Sequence, residues 1–284
     1  LLAGFAITLW SIATWSVEPG TWRVLFIIPP VITAAAAVAM FFAVKEEPAA
    51  AGYPGCVHDE IDNTVGTKVS LKESFTTIFT HPLVWFYAAA YACTGAVRHS
   101  SDQLSVMFFT EQLGIDLKAK PLSVLITLNL MTAAAILGSI ASGWVSDRFF
   151  KGQRAPVAKF LYFLEAIVLA AAAAVMFTGL IQPGLLGVVL GGFFLVMTSL
   201  TVNSTHSIVG AAAPMDIGGK KMAGFASGVI DSFQYYGSAI CLFITGLVLA
   251  EFGWSGWYPV MIAFALCGGL SMILLERKQK RLAR

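Results

Sequence analysis

Charge is what this chain has least of. Asp, Glu, Lys and Arg together supply 12% of its 284 residues, against roughly a quarter in a soluble globular domain. A water-exposed body of this size needs more polar surface than that, so the soluble catalytic folds are excluded. The net charge is only +2, and the basic residues fall in short separated clusters, which excludes a basic face for nucleic acid. Cysteine is as sparse. Cys56, Cys93, Cys241 and Cys267 show neither CxxC nor Cys/His spacing, so neither a disulfide framework nor a metal site is expected. No nucleophile–base pair and no phosphate loop stands out; no enzyme activity and no cofactor is expected.

What is present is apolar. Hydrophobic residues make up 57% and mean hydropathy is +0.78, and they are strung in charge-free runs near the roughly 20 residues a helix needs to cross a bilayer. The runs number eight: 1–17, 22–44, 83–112, 121–146, 156–179, 184–212, 221–250 and 254–276. Pro29-Pro30 predicts a kink within the second, and Gln182-Pro183-Gly184 a turn between the fifth and sixth. The spacing predicts an all-α, polytopic membrane protein. Its parts would be the last two helices of an N-terminal half (1–44, the first incomplete), a charged central loop (45–82) with an amphipathic end, a six-helix C-terminal half (83–276) and a basic tail (277–284). The chain starts at Leu1 inside an apolar run, so an N-terminal truncation is expected, with the preceding helices as partners of this part.

Lys and Arg mark cytoplasmic loops. With the central loop and every second connection assigned to one face, that face holds fourteen of them, from Lys45 to Arg284, and the other only Arg23, Lys118 and Lys120. The central loop and C-terminus are therefore expected in the cytoplasm, in a bacterial inner membrane. The eighteenth, Arg98, belongs to neither face because it lies inside a span.

Two segments are motif-grade. Gly143-Trp-Val-Ser-Asp147-Arg148-Phe-Phe-Lys151-Gly152-Gln-Arg154 closes one span on the basic side. There Gly143 would permit close helix approach, Asp147 would face a helix N-terminus or an Arg, and the cations would stay in the cytosol. A merely solvated positive-inside loop is the plainer reading. The second runs from Lys220-Lys221-Met-Ala223-Gly224 through Ser227-Gly228 to Phe233-Gln234-Tyr235-Tyr236-Gly237, with Gly224 and Gly228 at a small-xxx-small spacing suited to helix packing. The first segment resembles the loop signature of the major facilitator superfamily, in the longer form of the organophosphate:phosphate antiporters, which include glycerol-phosphate and hexose-phosphate carriers. The second resembles the same antiporters' eleventh helix. Tyr235 aligns with a binding-site tyrosine of that family; a buried Tyr with a local hydroxyl partner is the other reading.

Arg98 lies about 15 residues into its span, hence about 22 Å along the axis, near mid-membrane. A cation there costs at least ~2.5 kcal/mol, so it should face a polar cavity or a counter-charge. Either it binds an anion through its fork of donors, or it pairs with Asp102 one turn on. The resemblance implies the first: an arginine at the matching place is one of two that bind the substrate phosphate, the other lying in a helix this chain does not contain. Where the family continues with Tyr-Gly and an Asp-Trp pair, His99-Ser100-Ser101-Asp102 follow here. A tenth-helix tyrosine of the family has no counterpart in 193–202 either, which leaves the substrate open.

Arg98, His99, Asp102, Asp231 and Tyr235 are thus the candidate substrate-binding residues, and Gly143, Asp147, Arg148, Gly152 and Arg154 the gating loop. Asp231 functions directly or as a counter-ion. His206, at the end of Asn203-Ser-Thr-His206 and expected at the cytoplasmic mouth, and Glu165 serve helix packing or carry a proton. The resemblance implies alternating access, with a small phosphorylated anion exchanged for inorganic phosphate. The rivals are a proton-coupled organic-anion or sugar-acid symporter, with Arg98 on a carboxylate, and a membrane receptor that senses sugar phosphates.

Overall fold

The structure is a computed structural model that describes residues 27–45, 51–52, 70–119, 121–151 and 153–282; the side chains of 71, 211–221, 223 and 282 are left aside. The run 1–17, most of the 45–82 loop, Cys56, Gly152 and the last two residues lie outside the described residues. All described elements are helical: α1 (Ile28–Ala43), α2 (Leu71–Thr80), α3 (Pro82–Glu111), α4 (Leu122–Phe150), α5 (Arg154–Phe177), α6 (Leu185–His206), a π-helical turn Ser207–Ala212, α7 (Ala213–Phe252) and α8 (Trp257–Leu282). The all-α expectation is met. The chain divides into two compact units, 1–67 and 68–284. In the first, α1 begins at the two prolines expected to kink a longer helix, and they stand in its first turn, where a missing N–H leaves no hydrogen bond unmade.

In the second unit, α4, α5, α6 and the α7–α8 pair are long and apolar enough to cross a membrane. Helix α3, with 30 residues, is about 45 Å long but is not among these apolar spans. The reason is its middle: Thr94, Arg98, His99, Ser100, Ser101, Asp102, Gln103 and Ser105 fall within four turns. The helix that is too polar for lipid is packed against three others. It packs along α7 and α8 and touches α6, while α4 lies on α6 and α5 on α8 and α6.

Two apolar cores flank that polar middle. One gathers Val97, Phe108 and Phe109 of α3 with Trp254, Trp257, Tyr258 and Leu169; the other gathers Tyr87, Tyr91, Cys93, Tyr162, Ile208, Ile230 and Met272. Buried hydroxyls and an indole bond α3 to its neighbours: Trp257 Nε1 donates to Ser100 Oγ at 2.9 Å, and Tyr162 Oη lies 2.6 Å from Thr94 Oγ1 and from the Ala90 carbonyl. With no hydrophobic drive between helices in lipid, such hydrogen bonds and close packing carry the association.

The closest approach is between α3 and α7. A Cβ on Gly95 would meet the backbone of Gln234, and one on Gly237 the backbone carbonyl of Ala92. The glycines that the two motifs singled out for close approach, Gly143 in the first and Gly224 and Gly228 in the second, are elsewhere: a Cβ on any of them would meet nothing within 4 Å among the described residues. Spacing identifies small residues but not which side of the helix a neighbour occupies.

The amphipathic end of the central loop is α2, which buries Ile78 completely. Phe75 stacks on Phe79 at 4.2 Å, Phe79 meets Trp85 and Trp85 meets Phe233 on α7. At the α5 and α8 ends, Glu276 accepts from Lys159 Nζ at 2.6 Å and from Lys280 Nζ at 2.7 Å. Both lysines are partly solvated, so Lys159→Met is expected to lower stability by no more than about 1 kcal/mol. Thermal unfolding in detergent at low and high salt checks this, and the difference should shrink with salt.

Candidate functional site

Arg98 is the seventeenth residue of α3, midway along it. Its Nη1 donates to Gln234 Oε1 on α7 at 3.4 Å, while its Nε is buried without a hydrogen-bond partner. Among the described residues the ion pairs within 4.0 Å are those of Glu276, and the pair Arg98–Asp102 is not one of them. The two side chains instead line one cavity of about 300 Å³ with Ser105, Leu128, Met131, Thr132, Ala135, Ser199 and Asn203. Three helices build it: α3 supplies charge, α4 an apolar wall and one hydroxyl, α6 two polar groups. Ser199 donates to the Met131 carbonyl at 2.8 Å, and Asn203 Nδ2 donates to the Ser199 carbonyl at 2.9 Å. The amide oxygen of Asn203 stays available to the cavity.

One residue after Arg98, His99 has its Nε2 buried and unpartnered, and its ring leans on Tyr235 with centroids 5.5 Å apart. Tyr235 is exposed on α7 and does not line the cavity. Asp231, half-buried one turn earlier, faces the Tyr91 hydroxyl. The five candidates therefore fall into three places: Arg98 with Asp102 in the cavity, His99 with Tyr235 beside it, and Asp231 toward Tyr91.

Tyr91 and Gln234 join them as residues the motifs did not single out for this place. Tyr91 Oη lies 2.7 Å from His206 Nδ1 with the two rings stacked at 5.4 Å, and His206 Nδ1 lies 3.0 Å from Gln234 Oε1. His206 is therefore part of the Arg98 surroundings. Two local features put it there. The π-turn that begins at Ser207 changes the helical register directly after it, a distortion frequent at functional sites, and Gly210 in that turn leaves room for the Tyr91 ring. A polar residue in each of three apolar spans was the available signal; that they meet was not. Glu165 is fully buried on α5, with Thr205 Oγ1 donating to its Oε2 at 3.4 Å and its Oε1 unpartnered.

The gating-loop residues sit at the α4–α5 connection. Helix α4 ends on Lys151 in the left-handed conformation (φ 52°), and α5 starts at Arg154. Asp147 and Arg148 are exposed on the last turn of α4. The basic side chains of this hairpin are thus at one end of the bundle, and Arg98 is at its waist.

Chemically, the waist offers a guanidinium not neutralised by any described carboxylate within 4 Å, an orphaned imidazole nitrogen and several hydroxyls. That set complements an anion of small size with further hydroxyl groups.

Comparison with known proteins identifies the family. The Major Facilitator Superfamily profile matches residues 1–240. The chain is 24% identical to the membrane sensor protein UhpC of Salmonella typhimurium, over 89% of this chain and 55% of that protein. It is 25% identical to the glycerol-3-phosphate transporter of Bacillus subtilis, over 92% and 58%, and 26% identical to a probable hexose phosphate transport protein of Chlamydia trachomatis, over 86% and 55%. The chain spans somewhat more than half the length of these relatives.

Proposed function

The chain belongs to the Major Facilitator Superfamily and is a multi-pass integral membrane protein, and from that premise we propose that it serves a secondary active transporter that exchanges an organic phosphate for inorganic phosphate. The organic phosphate is a sugar phosphate or glycerol phosphate. The observation that carries this reading is Arg98: a mid-helix guanidinium, its Nε without a partner, lining a cavity with no ion pair to a described carboxylate. In a bilayer such a cation is retained for an anion that visits it. Phosphate suits the fork of parallel donors, since two of its oxygens accept at once. His99, whose Nε2 is buried and unpartnered, stands beside that cavity.

In this reading the helices α3 to α8 are one half of an alternating-access body, and residues 1–44 belong to the other. Substrate binds near mid-membrane and is exposed to either side by alternating access. The basic α4–α5 connection, α2 and the C-terminal end of α8 face the cytoplasm, in accord with the charge asymmetry, in a bacterial inner membrane as befits bacterial relatives. Asp147, Arg148 and Arg154, with Gly143 and Gly152, form the hinge or latch of that face.

The test is exchange by the full-length protein in proteoliposomes. Uptake of labelled glycerol 3-phosphate or glucose 6-phosphate is expected to require internal phosphate and to ignore an imposed pH gradient. Uptake that follows the pH gradient without internal phosphate identifies the proton-coupled symporter instead. The similarity to a membrane sensor protein supports a second reading, a receptor for phosphorylated sugars; binding by the reconstituted protein with no flux in either direction identifies it.

A further inference from the structure

Arg98 is held toward its cavity by a neutral group, and that group is held in turn by a titratable one. Gln234 is 2% exposed, and its backbone is pressed against Gly95 of α3, so its amide has little freedom except to turn over. Its Oε1 accepts from Arg98 Nη1 at 3.4 Å and stands 3.0 Å from His206 Nδ1. An amide oxygen only accepts hydrogen bonds, so this arrangement requires a proton on Nδ1. The Tyr91 hydroxyl, 2.7 Å from the same nitrogen, then directs its own proton elsewhere, and the Asp231 carboxylate that faces it is the acceptor at hand.

The other protonation state is self-consistent too, and it can release Arg98. With Nδ1 bare, its single lone pair accepts either from Tyr91 Oη or from the Gln234 NH₂; in the second case the amide has turned over and Arg98 Nη1 faces a donor instead of an acceptor. The proton on His206 Nδ1 therefore fixes which side of the Gln234 amide Arg98 meets. The groups around His206 are Tyr91, Arg98 and His99 from α3, Asp231 and Gln234 from α7, and Glu165 of α5 through Thr205.

We infer that Gln234 and His206 are positioning residues for Arg98, a neutral tether that aims the guanidinium at the cavity without neutralising it. The inference rests on the anion-binding reading of Arg98 above. A carboxylate in place of Gln234 would hold Arg98 more firmly but would compete with the substrate anion for the same donors. An apolar residue would leave a long cationic side chain free to turn along the cavity toward Asp102. An amide avoids both. Because the amide belongs to α7 and the guanidinium to α3, the tether also makes the anion site depend on how these two helices meet.

The full-length protein in proteoliposomes, with inorganic phosphate as the probe, tests this. Gln234→Leu removes a hydrogen bond to a charged group and is expected to raise KM for phosphate about tenfold, more than it lowers the maximal rate. Gln234→Glu is expected to raise it further. His206→Leu should match Gln234→Leu, and the double variant should be no worse than either, because both act through one chain of contacts. His206→Gln supplies a donor that does not titrate, so it should keep KM near the native value and remove the pH dependence of KM that His206 confers. An unchanged KM in Gln234→Leu, or single effects that multiply in the double variant, overturns the inference. A readout without substrate separates this from the transport reading. Phenylglyoxal modification of Arg98, followed by peptide mass spectrometry, is expected to be several-fold faster in Gln234→Leu and His206→Leu than in the native protein. If the native protein moves no phosphate and no phosphate ester, the transport reading fails while faster modification still supports the tether; equal modification rates overturn the tether whatever the protein transports.

Discussion

Arg98→Ala is expected to lower phosphate exchange by at least about a hundredfold, because it removes two or more charge-assisted hydrogen bonds, each worth on the order of 1.5–3 kcal/mol, or about tenfold or more. Arg98→Lys keeps the charge but replaces a planar fork by a point charge, and a loss of about tenfold is expected from geometry alone. Stability should move the other way. The guanidinium is half-buried in the middle of a 30-residue helix, its contacts to the described protein are one hydrogen bond of 3.4 Å and no ion pair, and a cation at this depth costs at least ~2.5 kcal/mol. Its removal should leave the melting temperature in detergent unchanged or raised. A residue kept for structure loses stability when removed; one kept for a ligand loses function alone. Measuring exchange and thermal unfolding on the same preparation separates the two. An Arg98→Ala protein with native exchange would remove the foundation of the functional proposal.

The second large effect is expected at Gly237. A Cβ there would meet the backbone carbonyl of Ala92, and no rotamer change relieves a clash with backbone. Gly237→Leu should force α3 and α7 apart and lower stability by about 3 kcal/mol or more. The checks are the melting temperature and the monodispersity of the detergent-solubilised protein. Gly95→Leu, across the same contact at the Gln234 backbone, should behave alike. Binding would fail with it, since the helix that carries Arg98 and the helix that carries Gln234 would no longer meet.

The site was partly legible in the sequence because lipid makes polarity conspicuous. Arg98 stands out as the cation in the middle of an apolar run, and Asp231, His206 and Glu165 stand out as the titratable exceptions in theirs. Their grouping was not legible. Tyr91 is unremarkable in an apolar helix, and Gln234 is one of several polar residues on α7, yet both touch His206. Conversely Tyr235, which the family resemblance placed in the site, lies beside His99 and outside the cavity. Which face of a helix a residue occupies depends on about 100° per residue of rotation and on the neighbour that face meets, and neither neighbour nor rotation is written in a run of apolar letters.

The same division holds for the whole protein. By itself the sequence determined that the chain is helical and crosses a membrane several times, and that its basic residues gather on alternate connections. Those properties follow from transfer free energies summed residue by residue, and such sums need no partner. Only the tertiary structure decided that α3 packs against α6, α7 and α8 and that its approach to α7 runs through Gly95 and Gly237 rather than Gly224 and Gly228. It also decided that Arg98 hydrogen-bonds an amide and is not paired with Asp102. These depend on contacts between residues more than 100 apart in the chain: Arg98 and Gln234 are separated by 136 positions, and no local periodicity spans that distance.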